Sequence, residues 1–471
     1  MEELLLTIDI GTTAIKYDIH GLSHIIFSHS SRLTTFHQKE YAIQHPEEII
    51  RILDQDMKMI SHQYPMIREI SLSTAMHTVI PYEEENTHEM LLWSDNRATD
   101  VIAQFKKDRE MSSAFYRKTG TPIHPMSPFA KLLYFKTHHV EWYERVSFWG
   151  DLKSFVLDYF TNQLYIDYST ASATGLFNSC SLDWDSDILH FLQISRAQLP
   201  KLAHPKESFS ISKKTADRLG FNQDVKVRIG ASDGCLVALG SFKSTGSPVS
   251  LTLGTSGAVR ILASQRHLSS TEATFCYYLE EDKWVIGGPS NNGGKVLEWA
   301  SELLYDDKVK IYDNLNRLIK DDHLLFLPYL QGERAPFWDS SQRAGFYNLS
   351  IEHQKPHITQ AVIEGVIFNL LYIYKQLGMS GDQNEIVLSG GVFKNKTIAQ
   401  MTATIFNKVC ISSQNVEPSQ GLRQWWSQRE TTQDNNLTYF PIESERTYYQ
   451  TKYHQFCLII NKIMDGKTLH F

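Results

Sequence analysis

Lysine and arginine nowhere gather into a block in this chain, and they are outnumbered by acidic residues, 46 to 53, giving a formal net charge of −7 over 471 residues. Without a positive field, nucleic acid is not an expected partner, and any anionic small molecule needs a local cationic pocket. Long apolar runs are missing as well. No uninterrupted stretch approaches the roughly 18 to 20 residues of a membrane span, so no membrane partner is expected. Met1-Glu2-Glu3-Leu4 sets no basic residue before its apolar run, and a signal peptide is not expected either. Cysteine is scarce: Cys180, Cys235, Cys276, Cys410 and Cys457 are odd in number and scattered, with no Cys-x-x-Cys pair. That pattern predicts reduced thiols in a cytoplasm rather than a disulfide framework. What the chain has in quantity is core-forming material, 42% hydrophobic residues, enough at this length for two or three domains with full cores.

Leu4 to Ile10 forms a strongly apolar run that breaks at Gly11-Thr12-Thr13 and returns through Ala14-Ile15-Lys16-Tyr17-Asp18-Ile19, which reads as a hairpin. Asp9 closes the first strand. A carboxylate there is costly unless a cation, a proton or several donors meet it. Gly11 allows a tight turn, and the hydroxyls of Thr12 and Thr13 with nearby N–H groups can face phosphate oxygens. The motif is not a Walker loop, because Lys16 lies in a returning strand and not at a helix entrance. Pro248 to Arg260 repeats the pattern around Gly254-Thr255-Ser256. Two such turns suggest an internal duplication, with related halves facing one nucleotide across a cleft. Ordinary buried hairpins would account for either turn singly.

Between the repeats, Gln44 to Leu53 reads as a helix started by Pro46 with acidic residues in its first turn. Ile67 to Ser73 reads as a strand running on through Thr74 to Pro81, with a lone histidine, His77, beside Met76 near its end. Trp93-Ser94-Asp95-Asn96-Arg97 follows another apolar strand with side chains able to hold hydroxyls, or else a plain turn with an Asp cap. Gly120 to Pro128 carries three prolines around His124, a stiff loop suited to a pocket wall or a structural corner. Asp151, ahead of Lys153, and the hydroxyl-rich run Asp167 to Gly175 could cap helices. Val227 to Gly240 reads as a strand, a small-residue turn and a helix with Asp233 at its entrance, favoured there as an anion by the helix dipole. Lys243 to Ser247 reads as a linker, with a hinge near Ser241 to Ser247.

In the second half, Gly287 to Lys295 runs from small residues into a helix, and free backbone donors there suit phosphate. Phe326 to Asp339 alone would be a surface loop. A long helix is predicted from Thr359 to Leu377, then a buried strand, Glu385 to Ser389, leading to Gly390-Gly391 and Asn395, where a flat adenine could lie. A terminal helix is expected after Asn435.

Taken together, Ser73 to His77, Trp93 to Arg97, Gly120 to Pro128, Ser172 to Asn178 and Gly332 to Asp339 resemble the carbohydrate kinases of the FGGY family, most closely its gluconate kinases, with xylulose kinases near. The resemblance spans the chain to about Gly421. It implies an α/β fold of two ribonuclease H-like domains of the actin and Hsp70 ATPase type around a central cleft, here 1–242 and 247–471. It implies ATP-dependent phosphorylation of a sugar or sugar acid, with Asp233 as general base. Met76, His77, Asp95 and Arg97, joined by Trp93, His124 and Lys153, would line the sugar site. Asp9 would position Mg2+ through water. Thr12, Thr13, Lys16, Gly254, Thr255, Ser256 and Gly294 would meet the phosphates of ATP, with Gly390, Gly391 and Asn395 beside adenosine. The implied partners are a small sugar acid and ATP, with a homodimer left open. A non-catalytic sugar or nucleotide binder of the same fold is the alternative of another class, although such a protein has no need of a base.

One stretch departs from the family pattern. A helix rich in Gly and Ala is expected after Glu417 to Leu422, yet this chain continues Arg423-Gln424-Trp425-Trp426-Ser427-Gln428-Arg429-Glu430. Those side chains in the same space predict overpacking of about 1 to 3 kcal/mol or more and a disturbed adenine pocket.

Overall fold

Strand β1 (Leu4–Ile10) turns at Gly11, whose N–H donates to the Ala14 carbonyl (3.1 Å), into β2 (Ala14–His20), and β3 (Ile25–Arg32) completes an antiparallel ribbon. The computed structural model describes residues 3–464 except 23, 85, 316–318, 320–322, 379–384, 414–415 and 427–435. Helix α1 (Pro46–Gln63) leads to β4 (Ile67–Thr74), which pairs with β1 in parallel. Helices α2 (Pro128–His138) and α3 (Leu152–Thr161) follow, then β5 (Ser208–Ser210) and β6 (Lys226–Ser232), giving a sheet in the order β5-β6-β4-β1-β2-β3. Helix α4 (Asp233–Thr245) begins directly at the end of β6.

The second half builds the same plan. Strands β7 (Val249–Leu253), β8 (Gly257–Ala263), β9 (Phe275–Glu280), β10 (Lys283–Ser290), β11 (Glu385–Ser389), β12 (Val409–Ser412) and β13 (Leu437–Tyr439) form a sheet in the order β9-β10-β8-β7-β11-β12-β13. Hairpin β7–β8 pairs in parallel with β11 as β1–β2 does with β4. The internal duplication and the ribonuclease H-like arrangement are therefore both present. Helices α5 (Gly294–Tyr305), α6 (Lys355–Gln376), α7 (Lys396–Phe406), α8 (Pro418–Trp426) and α9 (Glu443–Met464) complete the half. Two apolar cores draw only on residues of the first half, and a large one draws almost wholly on the second. A smaller cluster joins Cys235, Leu236 and Leu239 of α4 to Leu262, Phe275, Tyr277 and Leu422.

Two expectations need correcting. Lys243 to Thr245 are the last turn of α4, and the chain leaves the helix at Gly246, in the left-handed region at φ 78°. The strand ends at Thr74: Ala75 N makes the last bond to β1, at the Ile10 carbonyl (2.8 Å), and His77 turns away at φ 65°. The divergent stretch is helical as far as Trp426. Gly421 packs on α4, where a Cβ would lie 2.5 Å from the Leu236 carbonyl. Beside this crossing Arg423 is buried and donates to the Leu22 carbonyl (3.0 Å), while Trp425 lies beneath Lys206 and packs against the cluster that holds Leu236 and Leu239. Residues 427–430 of that stretch lie outside the described residues.

Candidate active site

Parallel register assembles the site. Ser232 pairs with Thr74 and Thr74 with Ile10, so the carboxyl ends of β6, β4 and β1 finish level, with Asp9 and Asp233 along the same sheet edge. Crevices beyond the carboxyl ends of parallel strands are the usual ligand sites of such sheets.

Asp9 lies between Lys16 and Ser73 on the neighbouring strands, and Ser73 Oγ donates to its Oδ1 (2.7 Å). Burial pushes its carboxyl up to about 7; the Ser73 hydrogen bond opposes this, and the negative charge of Asp233 adds to it. A carboxylate so placed gains by meeting a cation. Lys16 pairs with Glu417 (2.8 Å) at the surface, and its charge opposes the rise at Asp9. Thr12 and Thr13 form the turn itself, with the Thr12 carbonyl held by Gln44 Nε2 (2.6 Å) and Thr35 Oγ1 (3.0 Å).

Asp233 is the first residue of α4, partly exposed, its Oδ1 accepting from Gly234 N (2.7 Å). Burial raises its carboxyl. The Gly234 N–H, the Arg260 and Lys153 charges and the Met76 N–H pull it back toward the ionised form. Met76 closes over the helix start, where a Cβ on Gly234 would come within 2.9 Å of Met76 Cε.

His77 Nδ1 lies 2.7 Å from the Ala173 carbonyl, so it carries the proton, and Nε2 is left as an acceptor for a hydroxyl. Burial, then the Lys131 charge, lowers its pKa to about 3 and keeps the ring neutral. His124 Nδ1 accepts from Met126 N (3.2 Å), and its ring meets Trp338 edge-on at 5.6 Å. Trp93 is half-buried, with the Arg334 guanidinium 4.7 Å above its ring.

Several expected site residues do something else. Asp95 is fully buried and holds Arg97 through two 2.8 Å bonds while accepting from Ala42 N (2.9 Å), so it orients Arg97. Lys153, also fully buried, donates to the carbonyls of Ile229 (2.7 Å), Ala231 (3.1 Å) and Leu72 (3.2 Å) and pairs with Asp167 (3.4 Å). It fills the β-bulge between Arg228 and Ala231 that precedes Asp233, and is a support beneath the site. Asp151 and Asp167 cap short helices, as their pattern allowed.

The second turn also differs from its expected use. Gly294 N donates to the Gly254 carbonyl (2.6 Å) and Lys295 N to that of Thr255 (3.1 Å), so these first donors of α5 clamp the turn and are not free for phosphate. A Cβ on Gly294 would stand 2.7 Å from the Gly254 oxygen, which is why glycine is needed there. Gly254 and Gly391 face open space, and Ser256 O accepts from Gly254 N (3.0 Å). Gly390 sits at φ 96° against the Leu253 carbonyl, and Asn395 Oδ1 caps α7 through Thr397 N (3.0 Å) and Ile398 N (3.1 Å), leaving only its Nδ2 for a nucleoside.

Two cations were missed. Arg260 on β8 stands beside Gly234 and acts on Asp233. Its signal was a lone charge within the apolar run Ala258-Val259-Arg260-Ile261-Leu262, which has to be partnered when buried. Arg334 follows Glu333 in what read as a surface loop; both are buried. Glu333 receives Ser290 Oγ (2.7 Å), Asn291 N, Arg334 N and Asn369 Nδ2 (each 2.8 Å), which ties the loop to β10 and α6.

Two duplicated lobes with glycine turns at their strand ends, and an aspartate at a helix entrance between them, define an ATP-dependent phosphotransferase. The chain belongs to the FGGY family of carbohydrate kinases: residues 4–240 match the family's N-terminal domain and residues 249–419 its C-terminal domain. It is 33% identical over 448 residues to a gluconokinase of Bacillus subtilis, covering 89% of this chain and 86% of that one. It is 26% identical over 474 residues to a xylulose kinase of Staphylococcus xylosus, covering 94% and 96%. A crystal structure of gluconate kinase from Lactobacillus acidophilus superposes with a TM-score of 0.92 at 31% identity, covering 98% of each chain. Kinases of this family take their phosphoryl group from ATP.

Proposed function

We propose that this kinase phosphorylates D-gluconate to 6-phosphogluconate, with Asp233 as the general base. The observation that carries the reading is the shared strand edge, where Asp233 remains partly exposed at a helix entrance alongside Asp9, which lies in β1 just before the Gly11-Thr12-Thr13 turn. Asp233 accepts the proton of the terminal hydroxyl as its oxygen attacks the γ-phosphorus and ADP leaves. Arg260 keeps the base ionised before transfer. His77 Nε2 and Arg97 orient hydroxyls, and Trp93 gives the carbon chain an apolar face. Phosphoryl transfer needs positioning and charge neutralisation more than covalent chemistry, which suits a site of this composition.

Mg2+ fits the residues present. Among the described residues no group of three or more His, Cys, Asp and Glu could hold a metal, so the protein offers Asp9 as a single carboxylate, and Mg2+ commonly takes one or two carboxylates with waters and phosphates. Bound there, it would offset charge on the triphosphate. Thr12, Thr13, Thr255 and Ser256 supply donors from the two turns, and the two lobes, divided where α4 ends at Gly246, close on the nucleotide. Five cysteines without a disulfide agree with a cytoplasmic setting. Among the described residues no helix is long and apolar enough to cross a membrane.

Xylulose is the second reading, favoured by a xylulose kinase structure from Lactobacillus acidophilus that superposes with the same TM-score of 0.92 and 31% identity. A coupled ADP-release assay over gluconate, xylulose, glycerol and ribulose decides: gluconate gives the highest kcat/KM if the proposal holds, and a preference for xylulose overturns it.

A further inference from the structure

Arg334 is only 9% exposed, yet its guanidinium is poorly satisfied. Nη2 donates to the Ser290 carbonyl (3.2 Å), the plane lies 4.7 Å from the Trp93 ring centre, and among the described residues Nε is buried with no hydrogen-bond partner. Its neighbour Glu333 accepts from the hydroxyl, amide and backbone donors already named and makes no hydrogen bond to the guanidinium. The Glu333 charge favours the ionised guanidinium, but among the described residues no carboxylate is hydrogen-bonded to it. Asp95 is engaged by Arg97, His77 and His124 are held neutral, in part by Arg334 itself, and Arg260 adds another positive charge. A buried donor left open in a cationic corner calls for an anionic acceptor from the ligand.

We propose that Arg334, stacked on Trp93, is the carboxylate subsite of this enzyme and selects a sugar acid over neutral sugars. The inference rests on the gluconate reading and names the group that enforces it. A guanidinium fork matches a carboxylate with two parallel bonds, whereas a neutral sugar end leaves Nε unpaired. Asp233 and Trp93 belong to the first half of the chain and Arg334 to the second, so the subsite draws on both halves. Sites built to hydrogen-bond one group reject analogues that lack it.

The test compares D-gluconate with its neutral amide, D-gluconamide, by calorimetric titration and by turnover, using the full chain as wild type, Arg334→Gln and Arg334→Lys. The wild type is expected to bind gluconate at least tenfold more tightly than the amide. Arg334→Gln is expected to lose about 30-fold in gluconate kcat/KM, mostly through KM, and to abolish the preference. Arg334→Lys, which keeps the charge but not the fork, is expected to fall between the two. An ATP-induced rise in Tm verifies that each variant is folded. Equal losses for acid and amide in both variants overturn the carboxylate subsite alone. A wild type that phosphorylates xylulose but neither binds nor phosphorylates gluconate overturns the substrate reading, and the subsite with it.

Discussion

Arg260, from the second sheet, acts on Asp233, the first residue of α4, and its charge is one of the forces that hold the Asp233 carboxyl down against burial. A cation of one lobe thus acts on the proposed base of the other. A base works only when ionised, so activity is lost as pH falls through its pKa. Arg260→Met removes a stabilising charge and lets burial dominate. The acidic limb of the kcat profile is expected to move to higher pH, with kcat at pH 7 down about tenfold or more. An unmoved limb would separate the two residues.

His77 is neutral in the folded protein, its pKa lowered to about 3 by burial, against an unfolded value near 6.5. A depressed pKa means stability that is present above 6.5 and is lost as pH falls toward 3, because the unfolded chain binds the proton first. Asn tolerates the φ of 65° found here, so His77→Asn is a fair probe. Urea titrations from pH 6.5 to 4.5 are expected to show a slope shallower than wild type by up to about 1.4 kcal/mol per pH unit. Asp9 and Asp151, raised to about 7 and about 6, act in the opposite sense but are common to both proteins.

Lys153 is fully buried with Asp167 and three carbonyls around it. Lys153→Met leaves that carboxylate without its cation, and a loss of about 3 to 5 kcal/mol is expected in chemical denaturation. Adding Asp167→Asn should recover part of it. A loss below about 1 kcal/mol would mean that the bulge before Asp233 needs no support.

Gly294→Ala sets a Cβ 2.7 Å from the Gly254 oxygen and 3.0 Å from Val392 Cγ2. Overpacking of this kind costs about 1 to 3 kcal/mol, and here it pushes the second turn away from α5. The KM for ATP is expected to rise several-fold while that for the sugar substrate stays near wild type. The reverse pattern would place the turn outside the nucleotide site.

Much of this was legible because it was local. Apolar runs broken by Gly-Thr-Thr and Gly-Thr-Ser specified two hairpins, Pro46 and Pro128 each stand at the start of a helix, and Asp233 stood where a strand met one. What stayed hidden depends on partners far along the chain. The role of Lys153 follows from a bulge at 229–230, that of Asp95 from Arg97 folding back on it, and the donors of Gly294 are taken by a turn forty residues earlier. Arg334 resembled surface because adjacent opposite charges usually are; its burial depends on Ser290, Asn291 and Asn369 engaging Glu333.

The most direct test is the turnover of Asp233→Asn, measured with ATP and gluconate beside a titration of ATP binding. Removing a general base while keeping the side chain's shape should cut kcat by roughly 1,000-fold, with the Kd for ATP within about threefold of wild type. A variant that keeps a tenth or more of wild-type kcat would contradict the account.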